Sequence, residues 1–149
     1  MEAFSIRVAV ASDYPVVVEG LTQILRAAGM FEVVGECENL LELTDLLSRT
    51  DCDVLVFDYP FGQAGRILPR HDQIAWLRQR FPDLKMVLFA PEDDAAILRA
   101  LKKRGESVLL TKRDPVGHFV TAVHACFARS EYLSPAAKEL LAESVTSAA

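Results

Sequence analysis

Five short, largely apolar runs, at residues 6–11, 31–37, 52–57, 84–90 and 108–111, alternate along this chain with longer stretches of helical periodicity. Apolar runs of this length read as strands buried on both faces. Strands separated by helices cannot pair as hairpins, so each connection is expected to be a right-handed crossover between parallel neighbours. The predicted fold is therefore α/β, a doubly wound five-stranded parallel sheet with helices on both faces.

The punctuation between the runs supports this reading. Asp13 and Pro15 can open a helix over 16–28 that Gly29 stops, and Asn39 is a natural cap for a helix over 40–48. Asp72 is expected to start a helix carrying Ile74, Trp76, Leu77 and Phe81, ended by Pro82. The next is expected over 91–104, acidic at Glu92, Asp93 and Asp94 and basic at Lys102, Lys103 and Arg104, complementing the helix dipole. Asp114-Pro115 opens a long helix to about 130, and Ser134-Pro135 a short last one over about 136–144. At 149 residues, 51% hydrophobic and 25% charged, the chain has the size and composition of one soluble globular domain, set at 1–131, with 132–149 expected to be a C-terminal linker segment.

The balance of 16 Lys and Arg against 21 Asp and Glu, a net charge of -5, argues against sequence-independent contact with DNA or an anionic membrane by this segment. Cys37, Cys52 and Cys126 are far apart and lack zinc spacing, which reads as free buried thiols. No apolar run approaches the roughly 20 residues of a membrane span, and the N-terminus lacks a signal-peptide pattern, so a cytoplasmic location is expected.

The third run, Val54–Asp58, ends in an acid followed by the turn-forming Tyr59-Pro60-Phe61-Gly62. The carboxyl ends of strands in an open α/β sheet surround the crevice where ligands bind. The loop after Asp58 runs for about a dozen residues, longer than the roughly 2 to 6 usual for such a connection. At the same sheet edge the sequence places Ser12 and Asp13 after the first strand, Ala90 after the fourth and Lys112 after the fifth. Two carboxylates so placed repel unless Lys112 pairs with one or a divalent cation lies between them, and magnesium suits a few carboxylate and carbonyl ligands. Against this stand plainer roles: Asp13 as a helix cap and Lys112 as a solvated strand-end lysine.

Together the pieces IRVAVASDYPVVVEGLTQIL, FEVVGECEN, DVLVFD, FPDLKMVLFA, LLTKRDP and SEYLSPAA resemble a receiver domain of two-component response regulators, most closely the NarL/FixJ class with its RcsB-like members. The resemblance covers roughly residues 6 to 135 and implies a flavodoxin-like strand order 2-1-3-4-5. It implies Asp58 as the aspartate that takes a phosphoryl group from a histidine kinase, with Asp13, Asp58 and the Pro60 carbonyl as magnesium ligands. It implies Lys112 as the phosphoryl-contacting lysine.

The departures from the family pattern gather at the switch. Ser12 stands in place of one acid of a pair, so magnesium is expected to be held weakly. Ala90 replaces the switch hydroxyl, whose charged hydrogen bond is worth roughly 1.5 to 3 kcal/mol, and Leu109 replaces the switch aromatic. Val108 stands for a common glycine, and Gly62 for a proline. The reading that follows is an atypical, non-enzymatic receiver of a transcriptional regulator, a dimerisation and docking module with phosphorylation at Asp58 weak or absent.

Two alternatives stand beside it: a conventional magnesium-dependent phosphorelay receiver, and a small enzyme of the same fold with Asp58 as nucleophile. The enzyme lacks a glycine-rich phosphate loop after the first strand. The expected partners are a histidine kinase, a second copy through the first, fourth or fifth helix, and another regulator protein. DNA would be reached only through a further C-terminal domain. Trp76 is expected in the core, His71, His118 and His124 share no metal or relay spacing, and Lys102, Lys103 and Arg104 read as a helix end.

Overall fold

The computed structural model describes residues 4–59, 61, 70–91 and 94–148. Strands β1 (Ile6–Ala11), β2 (Phe31–Cys37), β3 (Val54–Asp58), β4 (Met86–Ala90), β5 (Val108–Thr111) and β6 (Tyr132–Leu133) form one sheet in the order β2-β1-β3-β4-β5-β6. Every neighbouring pair is parallel. The expected order of the first five strands is therefore observed, and a sixth extends it. Six helices connect and follow them: α1 (Pro15–Ala28), α2 (Leu40–Arg49), α3 (Arg70–Arg80), α4 (Ala95–Lys103), α5 (Val116–Phe127) and α6 (Pro135–Ala148).

All five residues of β3 and of β4 are buried, because helices cover both faces of the sheet there. Side chains alternate between faces along a strand. Leu55 and Phe57 accordingly join one core with Leu43, Ile74, Leu98 and Leu140, while Val54 and Val56 join another with Val18, Leu25, Phe119 and Val123. Helices α2, α3, α4 and α6 thus sit on one side and α1 and α5 on the other. Gly35 has a packing reason, since a Cβ there would run into Leu46 Cδ2 of α2.

Several boundaries differ from the sequence reading. Helix α3 begins at Arg70 rather than Asp72. Helix α4 begins at Ala95, because Asp94 is its cap and accepts from the Ile97 N–H at 3.1 Å. Tyr14, not Asp13, is the N-cap residue of α1, without a side-chain bond, although Pro15 takes the first turn as expected. Helix α5 starts at Val116 and ends at Phe127, and Asp114 does not cap it. Trp76 is half-buried at the edge of the core with Arg80 stacked 5.4 Å from its ring centroid.

The segment set apart as a linker is integrated into the fold. Tyr132 N–H donates to the Ser107 carbonyl at 2.9 Å and Ser134 N–H to the Leu109 carbonyl at 3.1 Å, which adds β6 to the sheet. Helix α6 then packs on α4 and β5, burying Ala136, Ala137 and Leu140. A side chain the size of leucine contributes about 1.5 to 3 kcal/mol on full burial, so this segment is held by its own core contacts.

Candidate functional site

Register brings the site together. Ala11 pairs with Phe57, Asp58 with Phe89, and Ala90 with Thr111. One step beyond these pairs, Ser12, Asp58, Ala90 and Lys112 meet at the carboxyl edge of the sheet, where β1, β3, β4 and β5 all end. Asp58 is only 2% exposed, and a carboxylate buried that deeply needs compensation.

The chain supplies it. The Ser12 hydroxyl, itself fully buried, donates to Asp58 Oδ2 at 2.7 Å and accepts from the Tyr14 N–H at 3.1 Å. Lys112 Nζ lies 2.9 Å from Asp58 Oδ1 as an ion pair, and that oxygen accepts no aligned hydrogen bond from any described residue. The centroid of the exposed Tyr14 ring lies 5.4 Å from Lys112 Nζ, within cation–π range. Both carboxylate oxygens of Asp58 are therefore engaged by the chain itself.

The remaining site residues fall as follows. Asp13 follows Ser12 at the crevice, half-buried and engaged. Ala90 is fully buried and presents only a methyl group at the end of β4. Leu109 is fully buried on the α4 and α6 side, where it pairs with Leu88 and Leu133. Val108 points to the opposite core. Pro60 and Gly62, with Glu92 and Asp93, lie outside the described residues.

Magnesium fits these residues poorly. The described donors at the crevice are two carboxylates and a serine, one carboxylate is already paired with an ammonium, and the serine hydroxyl is committed as a donor. Among the described residues no three acidic, histidine or cysteine side chains converge in a metal-binding cluster. Three residues past Asp58, the Phe61 ring packs edge-on against Phe57 at 5.2 Å, and its backbone N–H and carbonyl both bond the Gln73 amide.

Three contributors were missed in the sequence. Tyr14 carried no signal beyond its place before Pro15. Gln73, a polar residue with no motif around it, is only 4% exposed. Asp114, read as a cap, turns away from α5 and accepts from Thr111 N–H at 2.8 Å, Thr111 Oγ1 at 3.1 Å, Ser134 Oγ at 2.5 Å and Ala136 N–H at 3.1 Å. Those donors hold its carboxyl below the usual range despite the opposing effect of burial, which is the largest single influence on it. Of the histidines, His118 Nδ1 lies 2.6 Å from the Tyr132 hydroxyl and His124 packs on Phe31, so each has a structural contact.

No family model matches the chain. It is 25% identical over 130 residues to the transcriptional regulatory protein DegU of Brevibacillus brevis, covering 87% of this chain and 53% of that protein. It is 28% identical over 99 residues to the transcriptional regulatory protein RcsB of Escherichia coli strain K12, covering 65% of this chain and 44% of that one. The chain thus spans about half the length of the curated relatives it matches. In fold it is similar to the isolated receiver domain of RcsB from Salmonella enterica serovar Typhimurium in the presence of the phosphomimetic BeF3-. That match has a TM-score of 0.83 at 23% identity and covers 92% of this chain and 99% of that one.

Proposed function

We propose that this chain, a receiver domain homologous to response regulators of the NarL/FixJ class, is an atypical one that serves as a regulatory dimerisation and docking module, with phosphorylation at Asp58 weak or absent. The observation that carries this reading is the 2.7 Å hydrogen bond from Ser12 to Asp58. Where a second acid would repel Asp58 and require a cation, a neutral hydroxyl satisfies it. With Lys112 on the other oxygen, the buried charge is compensated without metal.

The same contacts stand in the way of conventional chemistry. A phosphoryl group arriving on either oxygen of Asp58 displaces the Ser12 hydrogen bond or the Lys112 contact. At the end of β4 it meets the Ala90 methyl, which has no hydroxyl to donate. Incubation with acetyl phosphate and magnesium followed by intact-mass measurement tests the reading. No adduct, or a sub-stoichiometric one, is expected, whereas full conversion at Asp58 refutes it and favours an ordinary phosphorelay receiver fed by a histidine kinase.

The output is a protein contact. RcsB is found as dimers bound to DNA, and a homodimer is the assembly we assign here. Helix α6 occupies part of the α4 surface, which leaves α1 and α5 as the faces for a second copy. Light scattering at micromolar concentration should give a dimer mass, and a pure monomer across that range speaks against this assembly. Docking on another regulator protein, and action on DNA through a further domain, belong to the same proposal. No described helix is long and apolar enough to cross a membrane.

A further inference from the structure

We infer that the seating of α6 on α4 and β5 is a readout of the Asp58–Lys112 ion pair, carried by the turn at 111–115 through Asp114 and Ser134. The inference rests on the reading of Asp58 as the centre of the site.

The turn is tied at both ends. On the crevice side, Lys112 Nζ reaches Asp58 Oδ1 at 2.9 Å. Inside the turn, Asp114 accepts from the backbone and hydroxyl of Thr111, and the Arg113 N–H donates to Thr111 Oγ1 at 3.2 Å. Lys112 is thus fixed between two residues that are bonded to each other.

On the far side the same carboxylate reaches the start of α6. Asp114 Oδ2 takes the Ser134 hydroxyl at 2.5 Å and Oδ1 takes the Ala136 N–H at 3.1 Å. Ser134, fully buried, accepts in turn from the Ala137 N–H at 3.1 Å and from the Lys138 N–H through its carbonyl at 2.9 Å. Asp114 and Ser134 together satisfy donors in the first turn of α6 that would otherwise be orphaned. An exposed ion pair, Arg113 to Glu139 at 3.3 Å, adds a third link from the turn to the helix.

This differs from a route through β4. There the chain offers the Ala90 methyl, which has no polar atom to exchange partners when the charge at Asp58 changes. The β5 side has the Asp58–Lys112 ion pair, one residue of backbone, and then the charge-assisted bonds of Asp114, which are directional and roughly twice as strong as neutral ones. When Lys112 leaves Asp58, the turn loses its crevice anchor and α6 loosens at its N-terminal end.

Amide hydrogen exchange on the full chain tests this, without magnesium or any phosphoryl donor. In Lys112→Gln, and equally in Asp58→Asn, amides of 137–143 should exchange at least tenfold faster than in the wild type, while those of β1 and β2 keep their rates. Ser134→Ala, a milder change that leaves the ion pair intact, should reproduce the effect. Adding Lys112→Gln to Asp114→Ala should then bring less than a further twofold increase, because the link is already cut.

Unchanged α6 exchange in Lys112→Gln overturns the inference, as does a fully multiplicative double variant. Equal acceleration in the β1 amides also overturns it, since the contact would then hold the whole fold rather than α6. A phosphorylated Asp58 in the mass measurement would refute the atypical reading and leave this exchange result standing.

Discussion

Ser12→Asp is the substitution that most directly tests why the crevice is built as it is. The wild-type hydroxyl lies 2.7 Å from Asp58 Oδ2 in a fully buried position, so an aspartate at 12 brings a second carboxylate to roughly 4 Å from the first. At an effective dielectric of about 20 that repulsion is about 4 kcal/mol, and the lost charged hydrogen bond adds about 1.5 to 3 kcal/mol. Lys112, 2.9 Å from Asp58, attracts the new charge as well and offsets part of this. A net destabilisation on the order of 3 kcal/mol is expected without metal, which lowers Tm by about 6 to 12 °C in a domain of this size. Magnesium should then restore stability to the variant, by about 2.7 kcal/mol at a hundredfold excess over its Kd. The wild type, with a neutral hydroxyl at position 12, should gain little from the same magnesium. Paired urea melts with and without magnesium check both halves. Equal stabilisation of wild type and variant, or no loss of stability in the metal-free variant, refutes the electrostatic account of Ser12.

Three further outcomes follow from separate parts of the molecule. Asp114 has its folded-state pKa lowered by four hydrogen bonds, so it contributes stability above its unfolded value near 3.9 that is lost as pH falls through the lower folded value. Urea melts between pH 2 and 7 should show a shallower acid decline in Asp114→Asn, and an unchanged slope counts against the network. Gly35→Ala, whose Cβ runs into Leu46 Cδ2, should cost about 1 to 3 kcal/mol, part of it recovered in a double variant with Leu46→Val; purely additive losses would contradict the contact. Cys37 and Cys126 are buried as expected while Cys52 is only half-buried, and burial pushes the Cys37 thiol up to about 12 and the Cys126 thiol to about 11, so labelling of those two by a thiol reagent at pH 8 should proceed only at the rate of opening; rapid native-state labelling of either contradicts their burial.

What was legible in the sequence follows from which constraints are local. The strand Val54–Asp58 could be read because both faces are covered, so all five residues are buried and nearly all apolar. The place of Asp58 and Lys112 followed from the rule that ligand crevices lie at carboxyl strand ends. The sixth strand was not legible, since two residues carry no periodicity and β6 exists only because β5 leaves an open edge. Nor could the length of α6 be read, as Leu140 is buried by α4 packing rather than by any local signal. Asp114 before Pro115 has the form of a helix cap, and only the return of the chain at Ser134 shows that its carboxylate serves a different helix. Ser12 was legible as a missing acid but not as a hydrogen-bond donor, because its partner is 46 residues away across the sheet.

Those long-range contacts also explain why the departures from the family pattern form a consistent set. A buried carboxylate is tolerable when its charge is compensated, and either a cation or an ammonium with a hydroxyl can do this. Here Ser12 supplies the hydroxyl and Lys112 the ammonium. The exposed Tyr14 ring adds a cation–π contact to that lysine. At the end of β4 the fully buried Ala90 packs without leaving an unsatisfied polar group. Leu109 completes the set, since it fills the core between β4 and β6 under α4 and α6, where an aromatic required to move would leave a cavity behind it.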